Sequence, residues 1–156
     1  MAYLTLKWLH ILSATVLFGT GLGIAFFQWF TYRRGDVATI ATVSRLVVRA
    51  DFLFTTPAVV VQLVTGVWLA QLLSLPWSTP WIAGALLLYV LIGLCWLPVV
   101  AIQIRLARLA RRSHEEGTPL PETFHRAMRV WFWLGWPALL GMLAVFWLMV
   151  RKPLEW

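Results

Sequence analysis

Charge is scarce in this chain, and that scarcity excludes a whole class of protein. Only 12% of its 156 residues are charged, whereas 61% are hydrophobic. A soluble domain of this length is ~45–50% apolar, and charged residues interrupt its apolar stretches. The composition therefore excludes an ordinary soluble domain. The net charge of +7 does not indicate a nucleic-acid partner either, because the basic residues flank the apolar runs.

Cysteine is almost absent as well. The single cysteine, Cys95, excludes an internal disulfide and any metal or iron–sulfur site built from several cysteines. Cys95 lies within an apolar run, which favours a buried and unreactive thiol. The chain also lacks a Gly-rich phosphate loop, a nucleophile triad and the ligand spacing of a zinc site.

What the chain does have is four long apolar runs. They predict transmembrane spans at about 3–30, 51–74, 81–104 and 129–150, since a helix needs about 20 residues to cross a bilayer. The 11 tryptophans are typical of anchors at the lipid–water interface. The sequence therefore predicts an all-α integral membrane four-helix bundle, with residues 1–156 as a single domain.

The segments between the spans carry their own predictions. Residues 37–50 alternate small, apolar and basic side chains, which favours an amphipathic helix at the membrane surface. Two prolines and two tryptophans in residues 75–81 predict a tight turn between the second and third spans. The third helix should continue past the membrane and end near Gly117, and Pro121 should begin the last helix.

Positive charge predicts the orientation. With four spans, the first and third connections share one side of the membrane, and the excess of Lys and Arg marks the cytoplasmic side. Lys7, Arg151 and Lys152 lie on the other side. Both termini should therefore face away from the cytoplasm, in a multi-pass protein of a bacterial inner membrane. The basic residues on the cytoplasmic side are Arg33, Arg34, Arg45, Arg49, Arg105, Arg108, Arg111, Arg112, Arg126 and Arg129.

His10 is the first candidate functional residue, because an ionisable side chain inside a span is costly and usually has a partner. It lies about 9 Å inside the outer end of the first span at 1.5 Å per residue. Ala14 and Gly21 share its helix face, and such small residues suit close approach of a helix or a flat cofactor. Three interpretations stay open: a hydrogen bond to a neighbouring helix, ligation of a metal or haem, and a proton relay.

A haem at His10 would need further groups. His114 and His125 lie on the opposite side of the membrane, whereas Met142 in the fourth span is a candidate second axial ligand at a comparable depth. Lys7 and Lys152 at the outer rim could meet haem propionates. The alternatives are ordinary core filling for Met142 and contact with lipid phosphate for the two lysines.

Other polar residues suggest structural and lipid contacts. Asp51, beside arginines at the start of the second span, is predicted to be an ion-paired or capping residue, and the mouth of a proton path is the alternative. Gln62 and Thr65 should hydrogen-bond across helices. A cluster of arginines after the third span predicts contact with anionic lipid; these are Arg105, Arg108, Arg111 and Arg112.

Two segments resemble a known family. Leu6-Lys7-Trp8-Leu9-His10-Ile11 is similar to the first helix of the HemJ type of bacterial protoporphyrinogen oxidase, and residues 137–153 are similar to its last helix. The whole chain also looks like a group of predicted integral membrane proteins of unknown function. The HemJ resemblance implies a four-helix bundle that binds haem b through His10. The His-x-Lys and Asn-Glu-x-Pro motifs of that family are missing, so the resemblance does not extend to its reaction.

Two functions are therefore predicted. The first is a small inner-membrane protein that binds haem b through His10 for electron transfer or a redox reaction. The second is a non-catalytic accessory or scaffold subunit, which assembles with a membrane partner or with copies of itself through glycine-rich helix faces. A proton path through Asp51, Gln62 and Gln103 is a third hypothesis.

Overall fold

A computed structural model gives the fold, and it describes residues 1–152. Pro153, which closes the HemJ-like ending, lies outside the described residues. Within them the chain is helical and contains no strand, which confirms the all-α prediction. The helices are α1 Ala2–Arg34, α2 Val37–Ala50, α3 Thr56–Leu72, α4 Pro80–Glu115 and α5 Glu122–Arg151.

A π-helical turn, Asp51–Thr55, joins α2 to α3. Residues 37–72 therefore form one long helix, so the amphipathic segment continues directly into a span. This helix and the other three long helices are each long and apolar enough to cross a membrane. The assignment of residues 1–156 to one domain, with those span limits, stays a prediction.

The helix ends follow local chemistry. Gly35 ends α1 with a φ of 76°, and Gly117 follows α4 with a φ of 65°, a backbone region that favours glycine. Asp36 caps α2, because its carboxylate accepts hydrogen bonds from the Ala38 amide at 3.1 Å and from the Thr39 hydroxyl. The predicted helix over 37–50 and the predicted stop near Gly117 are confirmed, whereas α5 begins one residue after Pro121.

The two ends of the bundle differ in packing. We call the end formed by residues 33–50 and 105–129 the basic end, and the end that carries Met1 and Lys152 the terminal end. The most deeply buried apolar side chains gather toward the basic end, from α1, α2, α4 and α5. They include Ile40, Leu106, Phe124 and Met128, each at most 1% exposed. Elsewhere the spans show large apolar side chains to their surroundings, as expected of surfaces that face lipid.

Ring contacts fix the register of α1 against α5. These helices run antiparallel, and the rings of Trp29 and Phe132 stack with centroids 4.3 Å apart. Nearer the terminal end, Phe18 meets Phe146 edge-on at 5.4 Å. The two contacts show which residues of α1 and α5 lie at equal depth.

Candidate functional site

His10 is held by side chains of α3. Its Nε2 lies 2.9 Å from Nε2 of Gln62, and its Nδ1 lies 2.9 Å from Oγ1 of Thr65. An amide nitrogen can only donate, so His10 Nε2 is the acceptor and Nδ1 carries the ring proton. Thr65 in turn donates to the carbonyl of Val61 at 2.6 Å, and Ser13 donates to Oε1 of Gln62. Both ring nitrogens therefore have partners within the helix pair.

A glycine makes this close approach possible. A Cβ placed on Gly66 would lie 3.1 Å from Cε1 of His10, closer than ordinary van der Waals contact. The imidazole of His10 thus lies directly against the backbone of α3. Gly21, predicted to let a helix or cofactor approach the His10 face, is exposed, and a Cβ there would meet nothing within 4 Å. The small residue that admits the imidazole is Gly66, which belongs to the neighbouring helix.

The residues around His10 do not fit a haem iron. An axial histidine needs a free nitrogen lone pair, and the Nε2 lone pair of His10 accepts from Gln62. Along α1, His10 lies ~12 Å from Phe18 toward the terminal end, and along α5 Met142 lies ~6 Å from Phe146 toward the basic end. Because Phe18 meets Phe146, His10 and Met142 are separated by ~18 Å in depth. Both cannot ligate one iron from these positions.

The two rim lysines contact aromatic rings. Nζ of Lys7 lies 5.8 Å from the centre of the Tyr3 ring, and Nζ of Lys152 lies 5.6 Å from the centre of the Trp81 ring. Both lysines are exposed at the terminal end. Both lysines therefore have an aromatic partner within the chain, while their contact with lipid headgroups stays a prediction.

A second polar cluster surrounds Asp51 in the half of the bundle nearer the basic end. The side chains of Thr55, Trp96 and Gln103 lie beside its carboxyl. Asp51 is 3% exposed, Gln103 3% and Thr55 7%. The sequence predicted an ion pair or a helix cap at Asp51, and that prediction is wrong for the described residues. Asp51 lies inside the long helix of residues 37–72, and no described salt bridge includes it.

The hydrogen bonding of this cluster is incomplete. Five buried side-chain polar atoms of residues 1–152 form no hydrogen bond, and four of them belong to the cluster. They are Oδ2 of Asp51, Oγ1 of Thr55, Nε1 of Trp96 and Oε1 of Gln103. A buried polar atom without a partner is costly, so such atoms are rare, and a catalytic or binding role is one explanation for them. The π-helical turn that begins at Asp51 is another feature found frequently at functional sites.

Two further polar contacts tie α1 to its neighbours. Gln28 and Ser44, both buried, hydrogen-bond at 3.1 Å and hold α2 against α1. Tyr32 hydrogen-bonds to Nδ1 of His125 at 3.0 Å, which joins α1 to the start of α5. His125 is half-buried in α5, whereas His114 is exposed in the last turn of α4. Neither histidine approaches His10.

An open groove of about 640 Å³ lies between α2 and α4 at the basic end. Arginines from both helices line it, together with His114 and one acidic residue. Of the four arginines predicted to contact lipid, Arg108 and Arg111 line this groove, whereas Arg105 lines a different one and Arg112 pairs with Glu116. The other arginines of the groove are Arg45 and Arg49.

One family matches almost the whole chain. Residues 4–153 match the family described as "Predicted integral membrane protein (DUF2269)". The chain belongs to this family. The match confirms the prediction of a membrane protein family of unknown function, while similarity to the HemJ type stays a prediction. No curated protein and no solved structure matches the chain.

The description of this family gives a location in the membrane and no activity. The polar clusters and the groove of this chain are therefore the basis for a function. The His10 cluster uses its polar groups in bonds between helices, which stabilises the α1–α3 contact. The Asp51 cluster holds an acid together with unpaired donors and acceptors. The groove presents positive charge at the basic end. The three sites are thus a hydrogen-bonded helix contact, a buried acid and a groove lined by arginines.

Proposed function

We propose that the protein is an accessory module of a bacterial inner membrane that binds anionic phospholipid in the groove between α2 and α4. In this proposal the basic end faces the cytoplasm and both termini face the other side. The observation that carries the proposal is the set of arginines that two separate helices bring to one groove. Basic pockets between transmembrane helices on the cytoplasmic side are typical sites for phospholipid headgroups.

The charges of the groove support an anionic ligand. Arg45, Arg49 and Arg108 form no ion pair with any residue in the described part of the chain. Only Arg111 is partly neutralised, because it lies 3.4 Å from Glu115. The groove therefore keeps a clear excess of positive charge, and phosphate groups are natural partners of such arginine clusters.

The shape of the groove supports a lipid rather than a free anion. Val48 and Ile104 lie at the end nearer the spans, whereas Arg111 and His114 lie further along α4, away from them. Ala107, a small residue, leaves room along the wall. A phospholipid matches this order, because its acyl chains and its phosphate follow each other along the same direction.

Lipid retention measured by native mass spectrometry tests this proposal. The protein with Arg45→Gln and Arg108→Gln should bind phosphatidylglycerol about 30-fold more weakly, since each arginine near the surface contributes ~1 kcal/mol. Its binding of zwitterionic phosphatidylcholine should not change. The control carries Arg126→Gln and Arg129→Gln, two exposed arginines that both contact Glu122. Equal weakening in both proteins, or in neither, would contradict a site in the groove.

An accessory role also rests on an open helix surface. Gly19 and Gly23 lie four residues apart on one face of α1, and a Cβ at either position would meet nothing within 4 Å. Such a surface can accept a second helix closely, from a membrane partner or from another copy of this chain. Crosslinking in native membranes should give a discrete product that Gly19→Leu with Gly23→Leu abolishes. A protein that stays monomeric and without a partner before substitution would contradict the accessory role.

Haem b at His10 with electron transfer, the other function predicted from the sequence, stays a prediction. The HemJ-like segments at both ends support it. The hydrogen bonds of His10, and its difference in depth from Met142, count against it. An absorption spectrum of protein purified from haem-replete cells decides the matter. A Soret band that disappears in His10→Ala would support haem at this residue. A colourless protein would rule it out.

A further inference from the structure

Asp51 is an acid without a cation inside an apolar bundle. Its side chain is 3% exposed, and none of the ion pairs within residues 1–152 includes it. Arg49, two residues earlier, and Arg105, two residues after Gln103, are both exposed. Burial of a charged carboxylate without a paired charge is strongly unfavourable, and no arginine compensates the charge here. The state of this carboxyl therefore depends on partners other than an arginine.

The groups that do face Asp51 are neutral. Thr55 comes from its own helix, whereas Trp96 and Gln103 both come from α4. Trp96 Nε1 can only donate, and Gln103 offers an acceptor, Oε1, and a donor, Nε2. In the described structure Oδ2 of Asp51, Nε1 of Trp96 and Oε1 of Gln103 form no hydrogen bond. The cluster thus holds a donor and two acceptors whose bonding depends on where one proton lies.

We propose that the Asp51 carboxyl is a proton-binding site that takes up and releases a proton inside the bundle, with Trp96 and Gln103 as its positioning residues. With the proton bound, the carboxyl donates to Gln103 Oε1 while its other oxygen accepts from Trp96. With the proton released, the amide of Gln103 turns and donates through Nε2 to the carboxylate, and Trp96 still donates. One side-chain rotation therefore serves both states, and no atom other than the proton is exchanged.

A proton fits this cluster better than a metal ion. No group of three His, Cys, Asp or Glu side chains in the described chain lies close enough to hold a metal. The indole N–H of Trp96 beside the carboxyl would oppose a cation, whereas it is a good partner for either state of a carboxyl. Chains of Asp, Glu and His inside membrane spans commonly serve proton transfer. The proposal does not depend on lipid in the groove or on haem at His10.

The composition of the chain allows a direct test. Asp36 and Asp51 are its two aspartates. Incorporation of carboxyl-¹³C aspartate into Asp36→Asn protein therefore leaves Asp51 as the single labelled carboxyl, with asparagine a good substitute at the Asp36 cap. Infrared difference spectra of this protein in phosphatidylcholine vesicles, recorded between acid and alkaline pH, should show a labelled C=O band of the protonated acid that appears and disappears reversibly.

Two further proteins check the assignment. Trp96→Phe keeps an aromatic ring but removes the N–H, so the C=O band should move to higher frequency because that oxygen loses a hydrogen bond. Glu116→Gln removes an exposed carboxyl and should leave the labelled band unchanged. The amide I band reports in each case that the helices stay folded. The proposal is overturned if the labelled carboxyl does not change with pH in folded protein, or if Trp96→Phe leaves its band in place.

Discussion

The cluster around His10 and the cluster around Asp51 both use side chains of the long helix over residues 37–72, yet their hydrogen bonding differs. Both ring nitrogens of His10 have partners on α3. Around Asp51, four buried polar atoms have none. Asp51 and Gln62 are separated by ~16 Å along this helix, so the two clusters belong to opposite halves of the bundle.

The difference separates a structural polar group from a candidate binding site. A saturated network inside a membrane holds helices together, and changes to it should appear mainly as lost stability. An unsaturated network leaves bonding capacity for something that comes and goes. By this criterion His10 fits a packing role, and Asp51 is the better candidate for a binding site.

Gly66→Val, which disturbs the His10 cluster, should cause the largest loss of stability. The new side chain would press on the His10 imidazole, which a Cβ alone would already approach to 3.1 Å. We expect the free energy of unfolding in mixed micelles to fall by about 1–3 kcal/mol, the usual range for overpacking. Gly93→Val is the control, since a Cβ at Gly93 would meet nothing within 4 Å. Equal losses at both positions would show that Gly66 has no special contact with His10.

Two buried threonines of the long helix over residues 37–72 give a matched test of smaller size. Thr65 is 5% exposed and bonded to His10, whereas Thr55 is 7% exposed and its Oγ1 lies beside the Asp51 carboxyl without a hydrogen bond of ordinary geometry. Thr65→Val should therefore lower the free energy of unfolding by ~0.6–1.7 kcal/mol, and Thr55→Val should leave it nearly unchanged. Chemical unfolding curves of the two proteins provide the comparison. A larger loss of unfolding free energy in Thr55→Val would contradict the account, because it would show that the Asp51 cluster is the one held by hydrogen bonds.

The smallest expected effect is on the N-terminal cap of α2, which Asp36 forms. The hydrogen bond from the Thr39 hydroxyl, with help from the Ala38 amide, holds the pKa of the exposed Asp36 carboxyl below its usual value. A lowered folded-state pKa stabilises the cap above the unfolded value of about 3.9, and this stabilisation is lost as the pH falls through the folded value. The protection of amide hydrogens in the first turn of α2, which is the intrinsic exchange rate at each pH divided by the observed rate, should then fall in acid. Asp36→Asn should remove this acid dependence, and persistence of the dependence would assign it to another group.

Much of the helical architecture follows from periodicity and apolar runs. The helix over 37–50, the extension of α4 and the bonds of Gln62 and Thr65 across helices were all predictable, whereas the position of the 37–50 helix at the membrane surface stays a prediction. Each depends on local pattern or on the general need of a buried polar group for a partner.

The identity of neighbours was not predictable from the same patterns. Helical spacing gives the face of a residue but not its depth relative to another helix, which packing decides. Gly141 illustrates this point, since a Cβ there would lie 2.8 Å from Cγ1 of Ile92 and this contact sets α4 against α5. Register of this kind separates Met142 from His10 and brings Trp96 to Asp51. An arginine close in sequence to Asp51 suggested an ion pair that the fold does not form.

The imidazole of His10 offers the most direct test of the central claim that its two ring nitrogens are used in helix contacts. Nitrogen-15 NMR of histidine-labelled protein in lipid bilayers reports which ring nitrogen carries the proton and whether each is hydrogen-bonded. We predict a neutral His10 ring protonated on Nδ1, with Nε2 as a hydrogen-bond acceptor, and a change in the Nε2 signal in Gln62→Leu. A proton on Nε2, or a signal shifted by a bound metal, would contradict the account.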